Sequence, residues 1–437
     1  MITISIIKAP PSDEVIKLNE WGYFDSIPQY HPIADANNLY EAFKAARKGS
    51  HWKTQVQRFR WNIGTELCKL QNELDNTYHG RPNEYELSKY SKFIVNERGK
   101  TRAITALGMR DRILKHCLND VFLIPHIRQK LIYDNGASLK GKGISFTRNR
   151  LLAHLESYIR EYGTNHGYIM TMDFSGYYDN IDHERVKQMI RQYENDPFAI
   201  YLADQAFDSY RIDVSYMTDH EYELAKHTKF SMVEYRKDHL NENRGNLFLY
   251  KSLSVGDQTS QIAAIAFPTL IDKDVTIVCG HKYYGRYMDD LYVIAPTIND
   301  LIKVKERIEE DAKYLRIFVN PHKTRITPLD RTFTYLQYKY YLKDNDYVVI
   351  RINKKTVRRM RHKLKKLSNL VKTGKARLIK VEEMFRSWIA NYGTVMSKKQ
   401  RNNLIALYQE QLGNGIDEWL LKRGLIERSK DAKGRNS

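Results

Sequence analysis

Three aspartates stand where their surroundings make carboxylates costly. Asp289 and Asp290 are adjacent, with the apolar run Leu291-Tyr-Val-Ile294 on one side and the largely apolar Tyr283-Tyr-Gly-Arg-Tyr-Met288 on the other. Asp173 ends another short apolar run, Tyr168-Ile-Met-Thr-Met172. An Asp doublet alone means little, because solvated doublets are common in turns. At the tip of a buried hairpin, however, carboxylates repel one another and lose hydration, so they need a cation. If the two runs are neighbouring strands, three carboxylates converge. Hard oxygen ligands of that kind suit magnesium, and two such ions suit in-line phosphoryl displacement.

The elements that must position these groups can be read from periodicity and turn residues. Lys282 to Ile294 reads as a hairpin with the carboxylates at its bend. Asp182 is placed to cap a helix over His183 to Tyr193. Leu39, Phe43, Val56, Phe59, Ile63, Leu67 and Leu70 fall near a helical repeat, which predicts helix from Asn37 to Asn76. Tyr90 to Thr105 reads as extended around the turn Glu97-Arg-Gly-Lys100, followed by helix from Met109 to Phe122. Asn195 to Asn246 is polar and receives no assignment. From Arg351 to Lys380 there are 13 Lys or Arg and no acidic residue. Val381, Met384, Phe385, Trp388 and Ile389 then form one amphipathic face, and the tail from Glu427 is small and polar.

The chain has 437 residues, with 71 Lys and Arg against 52 Asp and Glu, a formal charge of +19. That excess favours a polyanionic partner, with nucleic acid ahead of membrane. The 31 tyrosines offer rings that stack while their hydroxyls stay hydrated. The three scattered cysteines make neither a disulfide framework nor a zinc site. No apolar run reaches the roughly 18–20 residues that span a bilayer, so a soluble, cytoplasmic protein without a membrane partner is expected. Gly136-Ala-Ser-Leu-Lys-Gly-Lys142 matches most of a P-loop, but Gly143 stands where Ser or Thr should be, and Arg128 to Tyr133 is a weak strand. Lys140 and Lys142 are better read as touching a nucleic-acid backbone.

Together these segments resemble reverse transcriptases. Tyr287-Met-Asp-Asp290 is similar to their YxDD box, and Asp173-Phe-Ser-Gly-Tyr-Tyr-Asp-Asn-Ile-Asp-His183 to their first palm motif. Gly256-Asp-Gln-Thr-Ser-Gln261 resembles the glycine motif between the two, in a TSQ form seen in some bacterial members. Gly99 to Ile104 with Asp111-Arg112, Asn135 to Gly143, Asn320-Pro-His-Lys-Thr324 and Phe333-Thr-Tyr-Leu-Gln337 follow the family in the same order. The resemblance covers about Asn38 to Gly413. It implies an α+β right-hand polymerase fold with fingers, a ferredoxin-like palm and a helical thumb. Residues 1–75 would be a helical extension, 76–160 fingers, 161–345 palm with an insertion at about 195–246 returning to the fingers, and 346–437 a basic thumb with a short tail.

The resemblance also implies roles. Asp173, Asp289 and Asp290, with the backbone carbonyl of Phe174, would hold two Mg2+ ions. Tyr178 would be the steric gate that rejects a 2′-hydroxyl, which favours dNTPs. Lys100 and Arg102 would hold the triphosphate, and Lys323 would protonate the leaving pyrophosphate. Gly256 would let the backbone approach nucleotide or template, with Gln258 and Gln261 nearby. Tyr287, Arg358, Arg359, Lys363 and Lys366 would contact nucleic acid. Plainer readings stand beside these: a packed core tyrosine for Tyr178, a solvated hairpin face for Lys100 and Arg102, and a solvated helix for the basic run. Leu253-Ser-Val-Gly256 departs from the family's usual Leu-Pro entry, so Ser254 removes a rigid proline.

After Gln337 the basic stretch and the Trp388 helix use the remaining residues as a thumb, so no RNase H or integrase domain is expected. The resemblance is strongest to compact bacterial enzymes related to group II intron, retron and diversity-generating reverse transcriptases, and among them to stand-alone, defence-associated ones. It implies cDNA synthesis from a dedicated non-coding RNA encoded nearby, in anti-phage defence. An RNA-dependent RNA polymerase, a template-independent DNA polymerase and an RNA-binding scaffold remain as alternatives.

Overall fold

A computed structural model of the chain describes residues 30–88, 91–97, 99–239, 245–343 and 347–426. The part of the expected helical extension before Tyr30, Arg98 of the expected turn and the tail from Glu427 lie outside them. The described residues mix helix and strand, and they divide into two compact units. The first draws on the chain up to Thr147, on Met172–Leu291 and on Ile302–Thr324; the second draws on Arg148–Thr171, Tyr292–Leu301 and the chain from Arg325.

In the first unit, the helical stretch expected from Asn37 is three helices, Ala36–Ala46, Thr54–Trp61 and Ile63–His79. The interruptions have local causes. Gly49 takes a left-handed φ of 73° after the first helix, and Asn62 leaves helical geometry between the other two. Asp35 caps the first helix by accepting from the amides of Asn37 and Asn38, both at 3.0 Å. That helix buries Leu39, Ala42, Phe43 and Ala46 and packs against Met109–Leu118. Strands Ser91–Glu97 and Lys100–Ala106 pair antiparallel as expected, with Ser91 opposite Ala106 and Phe93 opposite Ile104.

The helix from Met109 ends at Leu118, continues through a wide turn at Asn119–Leu123 and resumes over Ile124–Lys130. Residues 128–130, read from sequence as a weak strand, are therefore helical. Pro125 follows directly on that wide turn and has no amide to donate to it. The described residues of the polar segment 195–246 also have order. They form helices Pro197–Asp208, Asp219–His227 and Met232–His239, and Ile212–Asp213 pairs with Phe248–Leu249. Their small core is Ile212, Val214, Phe230, Met232 and Leu249. Buried Arg236 donates from Nη1 to the carbonyl of Ile104 at 3.0 Å and from Nη2 to Thr105 Oγ1 at 3.2 Å, which ties this segment to the Lys100–Ala106 strand.

A four-stranded sheet carries the aspartates, in the order Tyr284–Tyr287, Asp290–Ala295, Tyr168–Asp173, Arg325–Pro328. Its two central strands are apolar nearly throughout, because both faces are covered. The second unit adds a three-stranded sheet, Val348–Ile352, Tyr338–Leu342 and Phe333–Tyr335. It also holds a helical core in which Met360, Leu364, Phe385, Ile389, Leu404 and Tyr408 are buried. Among the described residues no helix is long and apolar enough to cross a membrane.

Candidate active site

Asp173 is the last residue of its strand, and Asp290 the first of its own. Between the strands of the hairpin the chain turns over two residues, Met288 and Asp289. Such tight turns need a positive φ to match strand twist, and Met288 supplies it at 55°. The three carboxylates converge as expected: each offers an oxygen lying within 4.8 Å of the others. Burial and the Asp173 charge raise Asp289 above the ordinary carboxylate range. Burial, then Asp289, then Asp173 push Asp290 up to about 7.

Lys323 is the counter-charge, with Nζ 2.7 Å from Asp173 Oδ2. Burial works against its charge but is outweighed by the Asp173 hydrogen bond and the three carboxylates, so its pKa is raised. Asn320 brings it there. Its amide donates to the Asp173 carbonyl at 2.8 Å, and its side-chain oxygen accepts from the His322 amide at 3.1 Å. These bonds fold the Asn320–Lys323 turn back onto the strand end. Phe174 faces Val319 in an antiparallel bridge whose hydrogen bonds are made by Asp173 and Ser175. The carbonyl of Phe174 therefore points away from that partner segment, since carbonyls alternate along extended chain.

Three carboxylates around one point, with the Lys323 ammonium beside them, form a hard-oxygen donor set. Asp173, Asp289 and Asp290 fit a divalent cation.

Arg286 supports the turn, and sequence reading missed it. The guanidinium has no solvent exposure. It donates to Asp272 from Nε at 2.8 Å and from Nη2 at 2.6 Å, to the Ile265 carbonyl at 2.8 Å, and from Nη1 to the Met288 carbonyl at 3.0 Å. Tyr284 Oη donates to the same Asp272 at 2.6 Å.

The remaining expected site residues fall as follows. Tyr178 is partly buried, and its carbonyl accepts from the Leu253 amide at 2.8 Å. Burial raises its hydroxyl pKa, and the charges of Asp289 and Asp257 add to the effect. Lys100 is exposed on its strand, and its charge offsets a small part of the rise at Asp289; Arg102 is half-buried on the same strand. Gly256 has φ 100°, and nothing lies within 4 Å of where a Cβ would sit, so conformation and not space requires glycine. It lines a cleft of about 620 Å³ with Lys53, Arg112, Lys115, Gln258 and Gln261. Gln258 donates to Asp120 at 3.0 Å. The Ser254 amide donates to Ser260 Oγ at 3.2 Å, a bond proline could not make.

Lys140 is exposed, whereas Lys142 turns onto its own loop, donating to the Tyr133 carbonyl at 2.6 Å beneath the Phe146 ring. Tyr287 is partly buried beside Asp290 and Asp289, and burial raises its pKa. Arg358, Arg359, Lys363 and Lys366 belong to the second unit, exposed on helix Lys354–Lys372. A cleft of about 370 Å³ runs beside Arg358, with Arg361 and Lys365, which sequence reading did not select.

The profile of one protein family, described as reverse transcriptase (RNA-dependent DNA polymerase), matches residues 89–340, more than half of the chain. No curated protein matches. Among solved structures, a telomerase from Candida albicans in complex with a telomeric RNA fragment is similar at 13% identity and TM-score 0.40, over 77% of this chain and 63% of that one. An apo telomerase from Candida tropicalis, truncated from its C-terminal domain, is similar at 14% identity and TM-score 0.38, over 60% and 55%. The chain thus spans under two thirds of the length of either telomerase.

Proposed function

The chain belongs to the reverse transcriptase family, whose members are RNA-directed DNA polymerases and so nucleotidyltransferases, and from that premise we propose that it copies RNA into DNA at the Asp173, Asp289 and Asp290 centre. Reverse transcriptase domains use divalent metal ions, and the observation that carries the proposal is the convergence of these carboxylates within 4.8 Å. Magnesium is the ion this donor set suits, and two of them would polarise the attacking 3′-hydroxyl and neutralise charge on the leaving pyrophosphate. Asp173, Asp289 and Asp290, with the Phe174 carbonyl, would hold them. Lys323 holds a proton on Nζ beside Asp173 and would deliver it to pyrophosphate. Lys100 and Arg102 would orient the triphosphate, and Tyr178 would exclude a 2′-hydroxyl. Gly256 and Gln258, lining the adjoining cleft, would flank nucleotide and template.

In this reading 76–160 serves as fingers, 161–345 as palm and 346–437 as thumb. Lys140, Lys142, Tyr287, Arg358, Arg359, Lys363 and Lys366 contact template and product. The TSQ form of Gln258 to Gln261 supports a bacterial lineage, and with it a dedicated RNA encoded nearby, cytoplasmic location and a role against phage. Phage plating with the wild type and an Asp289→Asn/Asp290→Asn variant tests that role; equal plating would remove it.

The activity is tested with purified full chain, magnesium, labelled dNTPs and a primed RNA template. Incorporation should vanish in the Asp289→Asn/Asp290→Asn variant with RNA affinity retained, and undiminished incorporation would sink the reading. Tyr178→Ala should raise use of NTP relative to dNTP by about tenfold or more, as loss of an excluding contact of 1–3 kcal/mol does. An unchanged ratio would return Tyr178 to the core.

A further inference from the structure

The helix Thr54–Trp61 lies before the family match, which begins at residue 89. It buries only Val56 and Phe59. At 100° per residue, the direction opposite that pair is occupied by Trp61, flanked by Thr54, Gln57 and Arg58. Trp61 is 77% exposed and Trp52, just before the helix, 67%. Large rings held away from the core this way are not accounted for by folding. The segment that carries them is cationic: Ala42 to Thr65 contains six Lys or Arg and no acidic residue. Among the described residues Arg58 and Arg60 make no ion pair, and Lys53 lies over the Trp52 ring at 5.9 Å.

Exposed indole rings among unpaired cations match one polymer best, a single strand whose bases stack while its phosphates meet Arg and Lys. A membrane surface fits less well, because an interfacial helix presents a broad apolar face and here the apolar pair Val56 and Phe59 points inward. Lys53, which lies over the Trp52 ring, also lines the cleft that reaches Gly256, so the Trp52 end of the patch adjoins the proposed template side. We propose that Trp52, Trp61, Arg58 and Arg60 form a docking platform for unpaired RNA outside the copied bases. Choosing RNA over DNA rests on the polymerase reading above; the platform itself does not.

The test compares wild-type chain with Trp61→Ala, Trp52→Ala/Trp61→Ala, Trp61→Phe and Arg58→Ala/Arg60→Ala. Binding is read by anisotropy of a labelled unstructured RNA at several salt concentrations, and by quenching of tryptophan fluorescence. Extension is read on a minimal primer-template with no unpaired flank. Trp61→Ala should weaken RNA binding about fivefold or more, and the double Trp variant further, as losing a stacked base does. Trp61→Phe should retain most affinity, and Arg58→Ala/Arg60→Ala should flatten the salt slope by about 1–2. Minimal-substrate extension should stay at the wild-type level.

Unchanged affinity in the Trp variants would overturn the proposal. Equal loss of minimal-substrate extension would overturn it too, by placing the residues in the copying path. Preserved RNA affinity with lost binding to anionic vesicles would give the face to membrane. DNA bound as well as RNA would keep the platform and remove its RNA preference. Because binding is measured without catalysis, failure of dNTP incorporation would leave this result standing, and the reverse also holds.

Discussion

Arg286 donates from Nη1 to the carbonyl of Met288 at 3.0 Å, so the turn presenting Asp289 and Asp290 hangs on a guanidinium that solvent does not reach. Met288 occupies a left-handed conformation that a residue with a side chain adopts reluctantly. The bond to its carbonyl, together with the bidentate bond to Asp272, holds the turn there.

Replacing Arg286 should therefore damage stability and catalysis separately. Arg286→Met leaves Asp272 buried without its cation, which costs on the order of 3–5 kcal/mol, measurable by urea unfolding. Arg286→Lys keeps the charge but cannot reach Asp272 bidentately and Met288 as well. It should fold, and should lose kcat more than it raises KM for nucleotide. Wild-type kcat in the lysine variant would show that the turn holds itself.

The aspartate cluster predicts how metal and proton compete. Asp290 sits near 7 without a cation, owing first to burial and then to Asp289 and Asp173. Between its unfolded value near 3.9 and about 7 the folded chain binds more protons than the unfolded one. Stability in EDTA should therefore fall as pH rises through that window. A bound divalent ion takes the proton's place, so magnesium should raise Tm clearly at pH 8 and much less at pH 5.5. Thermal melts with and without magnesium at both pH values check this. An equal rise at both would mean that metal and proton do not share the site.

Much of the site was legible because local signals and fold agree. The apolar run ending in Asp173 is a strand, and Asp182 caps the following helix by accepting from the Arg185 amide at 3.1 Å. The α+β right-hand polymerase class followed from the order of the motifs. Arg286 was not legible: a charged residue inside an apolar hairpin reads as solvent-facing until Asp272, on a separate helix, is seen to cover it. Asn320 was seen only as part of a motif, because its work is done by a backbone bond, from its amide to the Asp173 carbonyl, that joins it to a strand almost 150 residues earlier. The segment 195–246 hid its helices because its core is small and Arg236 is buried against the Ile104 carbonyl, contrary to any hydropathy pattern.

His183 predicts acid sensitivity beside the first motif. It is 1% exposed, and its Nε2 lies 2.7 Å from the Ser252 carbonyl, to which it donates. Burial lowers its pKa to about 4. Below about 6.5 the unfolded chain takes up a proton that the folded chain refuses until pH approaches 4. Stability is thus lost as pH falls across that interval, by about 3 kcal/mol in all. His183→Gln keeps a donor for Ser252 and should remove this part of the slope. Urea unfolding at pH 7 and pH 4.5 should show a smaller difference for the variant than for wild type, and identical differences would refute the assignment.

Lys323 can be tested apart from the carboxylates because it makes two separable contributions. Its ammonium pairs with Asp173 at 2.7 Å, and it is half-exposed, so the pair itself adds little to folding. Lys323→Ala should leave Tm near the wild-type value. As a proton donor, however, its loss should lower kcat by about 10²–10⁴-fold, with KM for nucleotide changed much less. Lys323→Arg would keep the pairing with Asp173 but hold its proton too tightly to give it up, so kcat should stay low. If arginine restores full kcat, positive charge alone is what the site needs. If alanine does, pyrophosphate leaves without help from this residue.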